Sequence, residues 1–91
     1  MSDLLKGKRG LIMGLANNKS IAWGIAKACH DAGAELAFTY MGDAFKKRVE
    51  PLANSINVTN IYDCDAGNAE SLDNVFSALE AKWGSLDFVV H

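Results

Sequence analysis

Apolar residues fall into two alternating patterns along the chain. Short runs of strand length, bounded by turn residues, occur at Leu11-Ile12-Met13, Glu35-Leu36-Ala37-Phe38-Thr39-Tyr40, Asn60-Ile61-Tyr62-Asp63-Cys64 and Leu86-Asp87-Phe88-Val89-Val90. Between them, apolar positions three or four residues apart predict helices. The first helix carries Ile21, Ile25, Ala28, Cys29 and Ala32 on one face, with Ser20 as N-cap and Gly33 just past its end. The last is marked by Leu72, Val75, Phe76, Leu79 and Trp83, entered from Asn68 with Glu70 in its first turn and stopped at Gly84. The middle segment, Asp43 to about Ile56, places Phe45, Val49, Leu52, Ala53 and Ile56 on one face, with Asp43 as its N-cap. Pro51 removes an amide donor in mid-segment, which predicts a kinked or two-piece helix there.

The resulting order is β-α-β-α-β-α-β. Short apolar strands alternating with amphipathic helices make an α/β fold, a parallel sheet covered on both faces. Right-handed crossovers then favour strand order 3-2-1-4, half of a doubly wound sheet. The final apolar run stops one residue before His91. A bare apolar strand at a sheet edge is an aggregation hazard, so the expectation is a fragment of a longer protein.

Composition narrows the function classes. At 91 residues with 49% apolar and 22% charged side chains, the chain has room for one small domain and no second one. A formal charge of −2 supplies no basic field for a nucleic acid or an anionic membrane surface. The N-terminus lacks the apolar run and cleavage site of a secretory signal, and no stretch reaches membrane-spanning length. Cys29 and Cys64 show no metal-ligand spacing, which fits free thiols in a cytoplasmic protein. His30 sits near the end of the first helix, where it suits the dipole. Trp23 and Trp83 read as packing residues. No nucleophile–base constellation can be assembled, and no metal site is expected.

The candidate chemistry lies in the loop Gly14-Leu15-Ala16-Asn17-Asn18-Lys19-Ser20-Ile21-Ala22-Trp23-Gly24. It lacks the compact Gly-x-Gly-x-x-Gly fingerprint, yet the three jobs of that motif can be assigned. Gly14 permits a sharp exit from the strand, Ala16 lets the backbone approach a ligand, and Gly24 allows the helix to lie close on the sheet. Ser20 and Ile21 open a helix, whose free amides and dipole suit a pyrophosphate. The second strand runs into Met41 instead of the acidic side chain that often takes the ribose hydroxyls. Lys46, Lys47 and Arg48 read as a solvated helix face. Asp65-Ala66, after the third strand, could receive an adenine, and a turn-forming Asp beside Gly67 accounts equally well for Asp65.

Taken together, Gly14-x-Ala16-x-x-x-Ser20-Ile21-Ala22-x-Gly24, Gly33-Ala34-Glu35-Leu36-Ala37-Phe38-Thr39-Tyr40, Arg48-Val49-Glu50, Cys64-Asp65 and Asp87-Phe88-Val89-Val90-His91 closely resemble the N-terminal part of the bacterial NADH-dependent enoyl-acyl-carrier-protein reductases. These are divergent short-chain dehydrogenases/reductases with a Rossmann-type fold. The resemblance spans the whole chain and implies that residues 1–91 are the dinucleotide-binding portion of a single domain. It implies reduction of trans-2-enoyl thioesters on acyl carrier protein in type II fatty acid biosynthesis, with NADH/NAD as cofactor. By the same resemblance Gly14, Ser20 and Ile21 line the pyrophosphate, with Ala16 beside them, and Asp65 and Ala66 receive the adenine. Met41 stands near the adenosine in place of a frequent glutamine, and Ala66 in place of a frequent valine. The family's catalytic Tyr and Lys lie beyond His91, so no catalytic residue is named, and the complete protein is expected to be a homotetramer. The rival readings are a short-chain reductase acting on a ketone or alcohol, and a non-catalytic nucleotide-binding module.

Overall fold

A computed structural model describes residues 3–17 and 19–91. Four short strands, β1 (Arg9–Ile12), β2 (Glu35–Tyr40), β3 (Ile61–Asp63) and β4 (Phe88–Val90), alternate with three helices, α1 (Ile21–Asp31), α2 (Asp43–Ser55) and α3 (Ala69–Trp83). The strands form one sheet in the order β3-β2-β1-β4, with all neighbours parallel, as the crossover argument requires. Ile12 is registered with Phe38 on one side and Val90 on the other.

Alternation along the strands sorts the core into two layers. Ile12, Leu36, Phe38 and Tyr40 face α1 and α2, where they meet Trp23, Ala26, Val49 and Ala53. Leu11, Met13 and Ala37 face α3 and meet Val75, Leu79 and Trp83. Both tryptophans are therefore packing residues. Trp23 stands edge-on to Phe38, with ring centroids 6.3 Å apart and planes at 73°. Both cysteines are free, and burial pushes the Cys29 thiol pKa up, which keeps it protonated.

Three local expectations change. α2 is one helix with Pro51 inside it, not two pieces. Pro51 and Lys47 both lie on the exposed side, where water can serve the carbonyl that the proline leaves unpaired. The cap position of α2 belongs to Gly42, not Asp43, and no side chain caps it. The chain reverses out of β2 with Gly42 at φ +90°, a conformation that favours glycine, and Asp43 becomes the first helical residue, where its charge suits the dipole. In α1 the buried residues are Trp23 and Ala26, while Ile21 is 83% exposed and Ala28 is also outside. Ile25 and Cys29 pack against the core as the spacing predicts, so the apolar face is turned only in part, toward the large ring of Trp23.

The amino edge of the sheet is tied together by Arg9. Its backbone exchanges hydrogen bonds with Asp87, whose carboxylate accepts the Arg9 amide at 2.8 Å while the Asp87 amide donates to the Arg9 carbonyl at 2.8 Å. The guanidinium donates to the Trp83 carbonyl at the end of α3, lies 5.9 Å from the Trp83 ring centroid, and has Nε 3.7 Å from Glu35. One residue thereby joins β1, β2, α3 and the entry to β4, leaving the opposite edge to the loops.

Gly10 on β1 accommodates the ring of its register partner, Phe88. A Cβ built at Gly10 would lie 2.1 Å from the end of that ring. Gly10→Ala is expected to lower stability by about 1 kcal/mol, near the bottom of the overpacking range because a half-buried ring end can swing aside. Thermal unfolding of Gly10→Ala beside Gly10→Ala/Phe88→Leu checks this; the second change should add less loss than it does alone.

Candidate functional site

In a parallel sheet flanked by helices, ligands bind where loops leave the carboxyl ends of the strands. Here those loops follow β1 (residues 13–20), β2 (41–42) and β3 (64–68).

The first loop leaves β1 through Gly14, at φ +71°. Its backbone is held from below by one residue, through both its side chain and its main chain. The Gly14 amide donates to Thr39 Oγ1 at 3.1 Å, and the Leu15 amide donates to the Thr39 carbonyl at 2.9 Å. Thr39 is 1% exposed and is the buried polar residue of the core among the described residues. Leu15, 1% exposed, plugs the loop into the layer of α1 and α2. The outer side of Gly14 remains open, since a Cβ there would meet nothing within 4 Å.

The loop then turns into α1. Ser20 is the N-cap, as expected: its Oγ accepts the Trp23 amide at 3.2 Å and donates to the Asn17 carbonyl at 2.8 Å. Asn17 Oδ1 in turn accepts the Lys19 amide at 2.8 Å. Both roles of the Ser20 hydroxyl are thus taken up inside the turn. The amides of Ile21 and Ala22 precede the first intrahelical donors, Trp23 and Gly24, and are the groups a helix start offers to an anion. Asn18 of the same loop lies outside the described residues. Gly24 does not do the job the motif comparison assigned to it. It is exposed, and a Cβ there would meet nothing within 4 Å; Ala26, fully buried, is the small residue that faces the sheet.

The structure brings Gly14, Ala16 and Met41 together with Leu15 and Phe45 around a shallow cavity of about 200 Å³. Ser20 and Ile21 adjoin it along the loop without lining it. Asp65 and Ala66 lie exposed in the turn after β3. There Asp65 Oδ1 accepts the Gly67 amide at 2.9 Å, and the Asp65 amide donates to Ser71 Oγ at 3.0 Å. One carboxylate oxygen therefore builds the turn, as turn chemistry alone anticipates.

Three contributors escaped the sequence reading. Thr39 reads as an ordinary strand residue, and its tie to Gly14 depends on the pairing of β1 with β2. Asp63 reads in the sequence only as part of its strand, yet its Oδ1 accepts the Gly42 amide at 3.1 Å and secures the turn behind Met41. The spacing puts Phe45 on the inner face of its helix; it is 36% exposed and borders the cavity instead.

Residues 14–91 match the family model described as "Enoyl-(Acyl carrier protein) reductase". The chain belongs to the enoyl-(acyl carrier protein) reductase family. Among curated members of this family, the NADH enoyl-[acyl-carrier-protein] reductase 1 of Rhizobium meliloti (strain 1021) is 61% identical over 90 residues, covering 99% of this chain and 33% of the relative. Among solved enoyl-(acyl carrier protein) reductases, the crystal structure from Anaplasma phagocytophilum, in complex with NAD, superposes with a TM-score of 0.95 at 56% identity, covering 100% of this chain and 35% of that one. FabI from Candidatus Liberibacter asiaticus gives 0.96 at 50% identity, again over 100% of this chain and 35% of the other. The chain thus spans about a third of the length of these reductases.

Proposed function

We propose that this chain is the dinucleotide-binding part of an NADH-dependent enoyl-acyl-carrier-protein reductase, acting in the cytoplasm in type II fatty acid synthesis as a homotetramer. The observation that carries the reading is the family match over residues 14–91 coinciding with an open glycine turn at the carboxyl edge of the sheet. The donor set suits a diphosphate-linked dinucleotide: a strand exit without a side chain at Gly14, two helix-start amides at Ile21 and Ala22, and no acidic side chain in the loop between them.

Gly14, Ala16, Ser20 and Ile21 hold the diphosphate, with Ser20 acting through the cap that fixes the turn. Met41, Asp65 and Ala66 lie on the side of the adenosine. When bound, NADH would supply the hydride, and a proton would complete the saturation, for reduction of the double bond of the enoyl thioester carried by acyl carrier protein. These residues bind and orient the cofactor. By the family resemblance, the tyrosine and lysine that complete the chemistry belong to the part of the reductase beyond residue 91, and Tyr40 and Tyr62 are not assigned that role.

The test uses the natural polypeptide that carries these residues. NADH should bind saturably and be oxidised with a crotonyl thioester and not with an acetoacetyl thioester, whereas the 91 residues alone should oxidise none. Turnover of the acetoacetyl thioester in preference would replace this reading by a ketone reductase.

A further inference from the structure

Three consecutive amides are tied down where the chain leaves β1. Met13 donates to the Val90 carbonyl at 2.8 Å, Gly14 to Thr39 Oγ1 at 3.1 Å and Leu15 to the Thr39 carbonyl at 2.9 Å. The first and third bonds go to main-chain carbonyls and are open to almost any sequence. The middle one needs a side-chain oxygen, and β2 supplies it from a residue buried in the core. Valine has the same branched outline and would fill that space with no polar group to bury. The hydroxyl is therefore accounted for by its partner, Gly14, and not by packing. On the other flank of β2, the Tyr40 carbonyl accepts the Cys64 amide at 2.8 Å. Neighbouring residues of one strand thus anchor both the loop after β1 and the turn that carries Asp65.

The amides of Gly14 and Leu15 both point into the fold, so neither is free for an anion. The free donors are those of Ile21 and Ala22, at the far end of the loop. What the turn at Gly14 contributes is a bare backbone wall, open on its outer side. A diphosphate seated on the helix start meets that wall in register only if the turn is held in one place, and Ser20 fixes the helix end alone. We infer that Thr39, acting through the Gly14 amide, is a positioning residue for the dinucleotide, a role that rests on the proposed dinucleotide binding. At 1% exposure Thr39 reaches no ligand. It acts before binding, by keeping the turn in its binding-competent form. A turn that is competent for only a fraction of the time lowers the apparent affinity by that fraction.

The experiment uses the natural polypeptide carrying these residues. It measures the KM for NADH and kcat with a saturating crotonyl thioester, and the Kd of ADP-ribose, which has the diphosphate but no nicotinamide. Thr39→Val should raise the KM for NADH and the Kd of ADP-ribose by the same factor, about fivefold, while kcat changes by less than about twofold. Thr39→Ser keeps the oxygen and should bring both constants back to within about twofold of the unsubstituted protein. Thr39→Cys, whose sulfur is a weak acceptor, should fall between the two. A purely structural role would lower the melting temperature and the amount of active protein without moving the KM. Should Thr39→Val not fold, the serine and cysteine pair decides, with weaker binding expected for cysteine. Unsubstituted affinity in Thr39→Val, equal affinities in the serine and cysteine variants, or a loss in Thr39→Ser as large as in Thr39→Val overturns the inference and leaves the dinucleotide-binding role standing. Failure of the unsubstituted protein to bind either ligand overturns both.

Discussion

Phe38→Ala is expected to destabilise the protein by about 3–5 kcal/mol, the range for emptying a fully buried aromatic site. Phe38 has no exposed surface and lies in the central pair of the sheet, between β1 and β3, with its ring against the edge of Trp23. Its removal takes away apolar burial and leaves a void under α1. Against the roughly 5–15 kcal/mol that holds a small domain together, this is a large share. The loss should not remain local. Trp23 is the main anchor of α1 on the sheet, and its amide is the one that Ser20 caps. Urea unfolding of Phe38→Ala checks the magnitude, with Phe76→Ala as the outside control. That ring is 39% exposed, and its truncation should cost roughly 1 kcal/mol. Similar losses at the two positions would mean that the layer between α1 and the sheet is not the principal core.

The second large effect is at Thr39. Thr39→Val keeps the shape and removes the oxygen that accepts the Gly14 amide, and it should cost about 1–3 kcal/mol because the loss falls on a buried partner. Thr39→Ser keeps the oxygen and loses one methyl, so stability alone separates the two variants poorly. Amide hydrogen exchange separates them well. Valine should speed exchange at Gly14 while sparing Leu15, whose amide bonds to the backbone carbonyl of the same residue, and serine should leave both protected. Slow exchange at Gly14 in the valine variant would show that the strand pairing holds the turn without the hydroxyl.

Much of this architecture is legible in the order of the residues. The periods of apolar spacing identify all seven elements, and the crossover rule orders the strands, because both depend on local pattern and on chirality. The caps at Ser20 and Asn68 and the left-handed stop at Gly84 are likewise local. The outer strands illustrate where this fails. β3 is shorter than its apolar run, although Asn60 and Cys64 still exchange hydrogen bonds with β2, since a strand's length is set by its partner. The rotation of α1 toward Trp23 and Ala26 depends on what lies beneath the helix, not on spacing.

The candidate site divides in the same way. Gly14, Ala16 and Met41 could be read from the chain and are found on one cavity. Thr39, Asp63 and Phe45 act across strand pairings or across the turn from β2 into α2, so their neighbours in sequence reveal nothing of the role. Gly24 shows the opposite error. Its residue type fits the motif, but the helix lies with that position outward.

The knot at Arg9 has a consequence for biosynthesis. β1 is made first among the strands, yet one of its two flanks is closed only by β4, and the clasp at Arg9 requires Trp83 and Asp87. A nascent chain leaving the ribosome must therefore carry a half-bare central strand until almost all of this segment has emerged, the interval in which a chaperone has most to protect.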